Sequence, residues 1–201
     1  MKLKLGIIGL GTVGAGVISI IEKNRILYKK KFGLDLIING ISARNKNKKR
    51  SFDIKKYKWY EDPLKMASSS DIDIIVELVG GEKGLPYELA KLSLKNKKHL
   101  VTANKAMIAK KGTSLINLAN KNLVSINFEA SVGGGIPIIR LIQNNLLSGQ
   151  ISTIYGILNG TCNYILTQMR DSKISFSNAL LKAQKLGFAE ANPHDDISGM
   201  D

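Results

Sequence analysis

The run Lys2-Leu3-Lys4-Leu5-Gly6-Ile7-Ile8-Gly9-Leu10-Gly11-Thr12-Val13-Gly14 decides how this chain folds. Lys2 to Ile8 alternates loosely and turns apolar, as a strand does, and from Thr12 onward Val13, Val17, Ile20 and Ile21 recur at helical spacing. Strand, glycine turn and helix follow one another directly. In that setting the three glycines have distinct work: Gly9 permits the tight turn, Gly11 leaves room for a pyrophosphate, and Gly14 lets helix and strand pack closely. Backbone amides and the positive end of the helix dipole can then face phosphates, which makes Gly9, Gly11, Thr12, Val13 and Gly14 candidate dinucleotide ligands.

Outward from this motif, Leu34–Ala43, Ile72–Val79, His99–Thr102 and Val124–Glu129 read as further strands, short and mostly apolar as strands buried on both faces are. Thr12–Lys23, Pro86–Asn96 and Thr113–Asn120 read as helices between them. Alternating strands and helices imply right-handed crossovers and an α/β fold, a doubly wound (Rossmann) parallel sheet, expected over residues 1–148. Arg44–Lys58, with eight Lys or Arg and the single acid Asp53, reads as an exposed connection. Gly133 to Gly135 end the alternation. Beyond them Ile138–Leu147 reads as a helix, Ile151–Leu158 as a strand, Asn163–Arg170 and Phe176–Leu186 as helices, and Gly187–Asp201 as a loop, so a second domain is expected over residues 149–201.

Composition narrows the function classes. With 201 residues, 44% of them hydrophobic, the chain can bury a sizeable core. Leu5–Leu10 is too short and too glycine-rich to span a membrane, and no small-residue cleavage site follows it, so a cytoplasmic protein without a membrane partner is expected. Cys162 is the only cysteine and has only His99 and His194 beside it, which excludes an internal disulfide and the usual Cys/His zinc site. The net charge of +14 would suit an anionic partner. Yet only five of the 30 basic residues are Arg and aromatic residues make up 6%, so the balance reads as a lysine-rich solvated surface, with no nucleic-acid partner expected.

Cofactor choice turns on the end of the second strand, where an enzyme using NAD usually offers a carboxylate to the ribose hydroxyls. Ile41-Ser42-Ala43-Arg44 offers none, and Lys46, Lys48 and Lys49 follow. Arg44 in particular suits a 2′-phosphate and hence NADP, with NAD possible and ordinary loop charge as the plain alternative.

Several segments, in order, carry a more specific signal: Gly6–Gly14; Glu77-Leu78-Val79-Gly80-Gly81; Val101-Thr102-Ala103-Asn104-Lys105; Phe128-Glu129-Ala130-Ser131-Val132-Gly133-Gly134-Gly135-Ile136-Pro137; Asn159-Gly160-Thr161-Cys162-Asn163-Tyr164-Ile165; and Gly187-Phe188-Ala189-Glu190-Ala191-Asn192-Pro193-His194-Asp195-Asp196-Ile197-Ser198-Gly199-Met200-Asp201. Together they resemble homoserine dehydrogenase over nearly the whole chain. The first is common to many dehydrogenases, whereas the last three together are highly specific.

The residues also make chemical sense on their own. Lys105 follows a short strand and so stands at a carboxyl end, where open α/β sheets bind ligands; a surface lysine capping a helix is the alternative. Glu190, Asp195, Asp196 and Asp201 place four of 16 acids in the last twelve residues, either a solvated loop or acceptors for a substrate ammonium and alcohol. The glycine run around Gly134 reads as a domain hinge.

The resemblance implies more. It implies NAD(P)H-dependent interconversion of L-aspartate 4-semialdehyde and L-homoserine, towards threonine, methionine and isoleucine. It gives Lys105 a catalytic and cofactor-facing role, adds Gly81 to the cofactor site, places Thr161 and Gly187 near substrate or nicotinamide, and makes Glu190, Asp196 and Asp201 substrate ligands. It implies a sodium or potassium site from the Glu129 carboxylate and the carbonyls of Val132, Gly134 and Ile136. The domain from residue 149 would be the start of an α+β substrate domain, and the intact protein a homodimer. The family's acid–base lysine lies four residues past the aspartate matching Asp201, so the chain is expected to be a fragment that does not turn over alone. The alternatives are another NAD(P)-dependent amino-acid dehydrogenase and a non-catalytic NADP-binding sensor.

Overall fold

The computed structural model describes residues 1–146, 149–157, 159–189, 193–194 and 198. They fall into two compact units, Met1–Ser131 and Val132–Asp201, and each is described on its own. The division lies at the glycine run that ends the strand–helix alternation.

In the first unit, β1 (Lys2–Ile8) leads through the glycine turn into α1 (Thr12–Phe32), followed by β2 (Asp35–Ser42), β3 (Lys58–Trp59), α2 (Pro63–Ser68), β4 (Ile74–Glu77), α3 (Leu85–Lys95), β5 (His99–Thr102), α4 (Lys105–Lys121) and β6 (Ile126–Asn127). The sheet order is β3-β2-β1-β4-β5-β6. Every pairing is parallel, with Ile7 opposite Ile41 on one side and Val76 on the other. This is the doubly wound order in which the sheet reverses direction between its first and fourth strands.

Alternation along each strand builds two cores. Leu5, Ile7, Ile41 and Val76 point to one face and pack with Ile18 of α1. Ile8, Ile75 and Leu100 point to the other and pack with Met66, Leu89, Leu94, Met107 and Leu115 of α2, α3 and α4. Burying each such side chain is worth about 1.5–3 kcal/mol, and both faces of the sheet collect it.

Local signals set helix ends where apolar periodicity does not. Helix α1 continues past Lys23 to Phe32, where Gly33 turns left-handed (φ 67°) and the amides of Gly33 and Leu34 bond the carbonyls of Lys29 and Tyr28. The Arg25 guanidinium grips both oxygens of Asp35, at 2.7 and 3.3 Å, and ties that helix to the start of β2; this contact holds the Asp35 carboxyl below its usual range. Helix α4 begins at Lys105, not Thr113, because Asn104 caps it: its side-chain oxygen accepts the Met107 N–H at 3.0 Å, and Met107 is fully buried. Within the basic connection Asp53 caps a short 3₁₀ turn at Ile54–Lys56, and beyond it Asp62 caps α2 ahead of Pro63.

In the second unit, α5 (Ile138–Arg140) passes into a π-helical turn (Leu141–Asn145), and α6 (Gly160–Ser172) and α7 (Phe176–Lys185) pack around Ile165, Ala179, Ala183 and Ala189. Residues 151–157 form no strand, contrary to the expectation for Ile151–Leu158; position 158 lies outside the described residues. A strand needs a partner for its amides and carbonyls, and no described strand in this unit offers one. Ile151, Ile154, Tyr155 and Ile157 are exposed accordingly. Among the described residues no helix is long and apolar enough to cross a membrane.

Candidate functional site

The carboxyl ends of β1, β2 and β4 open onto one cleft of about 710 Å³ in the first unit, at the point where strand order reverses. Gly9, Gly11, Ser42, Ala43, Arg44, Asn45, Lys48 and Arg50 line one part of it, and Leu78, Val79 and Leu85 form an apolar wall. Thus the glycine turn and the end of β2, which sequence reading linked only through a fold expectation, share one cavity. Lys46 and Lys49 do not line it. Lys46 instead approaches Glu61 at 3.6 Å and the Trp59 ring at 5.7 Å.

The glycine turn is held by backbone. The Gly9 N–H donates to the Ser42 carbonyl at 3.0 Å, and Gly9 has φ 95°, a conformation that disfavours any side chain. A Cβ on Gly9 would strike the Leu78 carbonyl, and one on Gly14 would strike the Gly9 carbonyl. A Cβ on Gly11 would meet nothing within 4 Å. No side chain caps α1 and no acid stands in its first turn, so its leading amides are open to an anion; Thr12 and Val13 are exposed there. The fit to a dinucleotide pyrophosphate rests on those uncapped amides beside the space in front of Gly11.

A second network organises the ends of β4 and β5, through Glu77, Thr102 and Asn104, to which sequence reading assigned no individual role. Glu77 is completely buried, and its carboxylate accepts the amides of Val79 (2.7 Å) and Gly80 (3.2 Å) and the Thr102 hydroxyl (2.5 Å). Thr102 in turn accepts the Asn104 N–H, and the Asn104 side chain donates to the Gly81 carbonyl at 2.6 Å. Gly81 and Lys105 are thereby joined through one asparagine, with Lys105 exposed as the first residue of α4. Farther along the same loop, Glu82 pairs with Lys110 of α4, which holds the Glu82 carboxyl below its usual range. Two signals for this network were in the sequence: an acid closing an apolar strand at Glu77, and Asn104 three residues ahead of Met107 in capping register.

In the second unit Thr161 is buried in the first turn of α6, and its hydroxyl donates to the Phe188 carbonyl at 2.6 Å. Gly187 ends α7 with φ 76°. The structure therefore brings Thr161 beside the turn that contains Gly187. Glu190, Asp196 and Asp201 lie outside the described residues. Of the cation loop, Glu129 is half-buried in a 3₁₀ turn of the first unit (Glu129–Ser131). Val132, Gly134 and Ile136 belong to the second, where Gly133 and Gly135 have positive φ and the Ile136 carbonyl already accepts the Ile138 N–H at 2.8 Å. Among the described residues no cluster of three or more His, Cys, Asp or Glu could hold a metal ion.

Residues 9–129 match the family model described as homoserine dehydrogenase, NAD binding domain, and residues 137–201 match the homoserine dehydrogenase model. The chain belongs to the homoserine dehydrogenase family. It is 39% identical over 199 residues to homoserine dehydrogenase of Bacillus subtilis and 42% identical over 205 residues to that of Helicobacter pylori, covering 99% and 100% of this chain. It spans 46% of each of those relatives. Its fold superposes on the crystal structure of a homoserine dehydrogenase from Thiobacillus denitrificans with a TM-score of 0.84 at 35% identity, covering 98% of this chain and 45% of that one. It also superposes on a hyperthermophilic archaeal homoserine dehydrogenase in complex with NADPH, with a TM-score of 0.81 at 28% identity, covering 100% of this chain and 66% of that one.

In this homoserine dehydrogenase family member the glycines separate fold from binding, which a pair of variants can read. Gly14→Ala should lower stability by about 1–3 kcal/mol through forced backbone overlap. Gly11→Ala should leave the urea midpoint unchanged and weaken dinucleotide binding selectively. A drop in midpoint for Gly11→Ala equal to that for Gly14→Ala would contradict the division.

Proposed function

We propose that this chain is the cofactor-binding and substrate-loop portion of an enzyme that interconverts L-aspartate 4-semialdehyde and L-homoserine in threonine, methionine and isoleucine biosynthesis, using NADPH in preference to NADH. The observation that carries this reading is the cleft at the sheet's reversal point, lined by Arg44 and Lys48 and with no carboxylate at the end of β2. The relative solved with NADPH supports the same choice.

In this reading the bound cofactor supplies hydride to the aldehyde carbon. The chain's own residues bind and orient. Gly9, Gly11, Thr12, Val13 and Gly14 present amides to the pyrophosphate, Arg44 meets the 2′-phosphate, and Gly81, fixed through Asn104, borders the nicotinamide half together with Lys105. Lys105 holds a cation where the substrate must lie. Thr161, Gly187, Glu190, Asp196 and Asp201 belong to the substrate side, where carboxylates accept from the α-ammonium and the alcohol. The Glu129 carboxylate with the Val132, Gly134 and Ile136 carbonyls would hold sodium or potassium, hard cations that prefer oxygen ligands. The segment from residue 149 begins the substrate domain, and we place the complete enzyme in the cytoplasm as a homodimer acting on a small molecule.

Three measurements test this reading. Calorimetry on Arg44→Ala should show a selective loss of NADPH affinity with NADH binding retained, and equal losses would refute the 2′-phosphate assignment. In the complete enzyme Lys105→Ala should lower kcat/KM for homoserine oxidation by about 10²- to 10⁴-fold, as expected for a group at the reacting centre; a change within a few-fold would make Lys105 a surface charge. Melting temperature should rise in sodium or potassium over a bulky organic cation and lose that dependence in Glu129→Ala. Identical curves in all three salts would remove the cation site.

A further inference from the structure

The basic segment after β2 is folded around one of its own side chains. The Arg50 guanidinium donates to the carbonyls of Lys46 (3.0 Å), Lys48 (2.8 Å) and Asn45 (2.5 Å), so a single planar fork gathers the backbone of residues 45–48. The same guanidinium lies 5.7 Å from the Trp59 ring centroid, and Trp59 is itself fixed in β3 opposite Ile41. Arg50 thus connects the loop to the sheet. It also lines the cleft with Arg44 and Lys48, and it is the only cation of the three that is not fully exposed.

This is an unusual use of a charge. In a chain of net charge +14, a segment holding Arg44, Lys46, Lys48, Lys49 and Arg50 should repel itself and extend. Instead it turns back on the sheet, because backbone carbonyls, not carboxylates, take the Arg50 donors. No carboxylate is thereby brought into the cleft lining, and Arg44 and Lys48 remain on it unneutralised by that loop. Arg50 Nε and the Trp59 indole N–H are both buried without a hydrogen-bond partner among the described residues, so Arg50 itself is held by the three carbonyls and the Trp59 ring, while Asn45 Oδ1 accepts the Asn47 N–H and Lys46 approaches Glu61 within the same segment.

We propose that Arg50 is the positioning residue for recognition of the 2′-phosphate: by gathering the 45–48 backbone over Trp59 it presents Arg44 and Lys48 to the cleft, and without it their charge is delocalised over a mobile loop. This rests on the NADPH reading, with Arg44 as the direct phosphate partner. Lysine cannot replace Arg50. An ammonium has the charge but not the planar fork that reaches three carbonyls while stacking on an indole.

The test uses the 201-residue chain and two probes that differ only at the 2′ position, adenosine 2′,5′-bisphosphate and 5′-AMP, titrated calorimetrically at low ionic strength. The parent should bind the 2′-phosphorylated probe more tightly. Arg50→Lys should lose about tenfold or more of that preference, a loss of the size expected for charged hydrogen bonds, with 5′-AMP binding within about twofold of the parent. Amide exchange over residues 45–49 should accelerate in Arg50→Lys and not in Arg44→Ala. Trp59→Leu, which keeps every cation and an apolar side chain but removes the ring that Arg50 and Lys46 approach, should show the same selective loss and serves if Arg50→Lys is poorly folded.

Retention of the full preference by Arg50→Lys would overturn the proposal, since charge alone would then suffice. Equal weakening of both probes would also overturn it, by reducing Arg50 to general support of the fold. Failure of the underlying reading looks different: the parent itself would then bind the two probes equally. Loss of the preference in Arg44→Ala alone would leave the 2′-phosphate reading standing and remove Arg50 from it.

Discussion

The Glu77 carboxylate, sealed from solvent at the end of β4, is the contact on which the cleft's floor depends. A carboxyl group buried in a protein interior is costly unless its oxygens are hydrogen-bonded, so its surroundings are obliged to supply donors. They come from two amides of the loop just past the strand and from the hydroxyl of Thr102 on the neighbouring strand. The loop cannot move away without leaving those oxygens unpaired. From there the constraint spreads: Thr102 orders Asn104, Asn104 caps α4 and holds Gly81, and Lys105 starts the helix at a fixed place. Lys105 owes its position to an acid at the end of the neighbouring strand, acting through Thr102 and Asn104.

Charge is divided between two regions of the cleft by the same logic. At the glycine turn there are no charged side chains, only uncapped amides and the dipole of a 21-residue helix. At the end of β2 there are full cations on a loop that must be held against its own repulsion. The first region can recognise a pyrophosphate in any dinucleotide. In the NADPH reading proposed above the second would distinguish one dinucleotide from another, because a 2′-phosphate differs from a hydroxyl mainly in charge. Affinity and selectivity would then be built on separate segments, and Gly11 could be changed independently of Arg44 or Arg50.

What the sequence made legible was periodic or conformational. The β1 limits, the Gly9-x-Gly11-x-x-Gly14 turn, the parallel order and the cations after Ser42 all follow from spacing or from glycine chemistry, and the resemblance to homoserine dehydrogenase came from loops rich in such signals. What stayed hidden was tertiary. Helix α4 was placed eight residues too late because Lys110-Lys111-Gly112 interrupts its apolar face, although Gly112 is buried in the fold and Asn104 caps the true start. The part played by Arg50 is not legible in the sequence, since a guanidinium folded onto its own loop carbonyls has no one-dimensional signature. Ile151–Leu158 read as a strand because its β-branched residues favour one, yet pairing, not propensity, decides whether a strand forms.

In the second unit the Thr161 hydroxyl is committed to the fold itself. Thr161 has one proton to donate, and it goes to the Phe188 carbonyl, so toward any substrate this side chain can act only as an acceptor. Its donor instead fixes the turn between α7 and residue 190, and Phe188 is held from the other side by the Tyr164 ring, 5.0 Å away, while Ala189 is buried against Ile165, Ala179 and Ala183. Gly187 can then take its left-handed conformation at no steric cost and end α7 where the acidic segment begins. In the proposed enzyme this makes Thr161 and Gly187 a mechanical pair: the threonine holds the turn at Phe188 that the glycine opens. A valine at position 161 would preserve the volume but remove the acceptor together with the donor, so its effect on substrate affinity would combine the released turn with any lost direct contact.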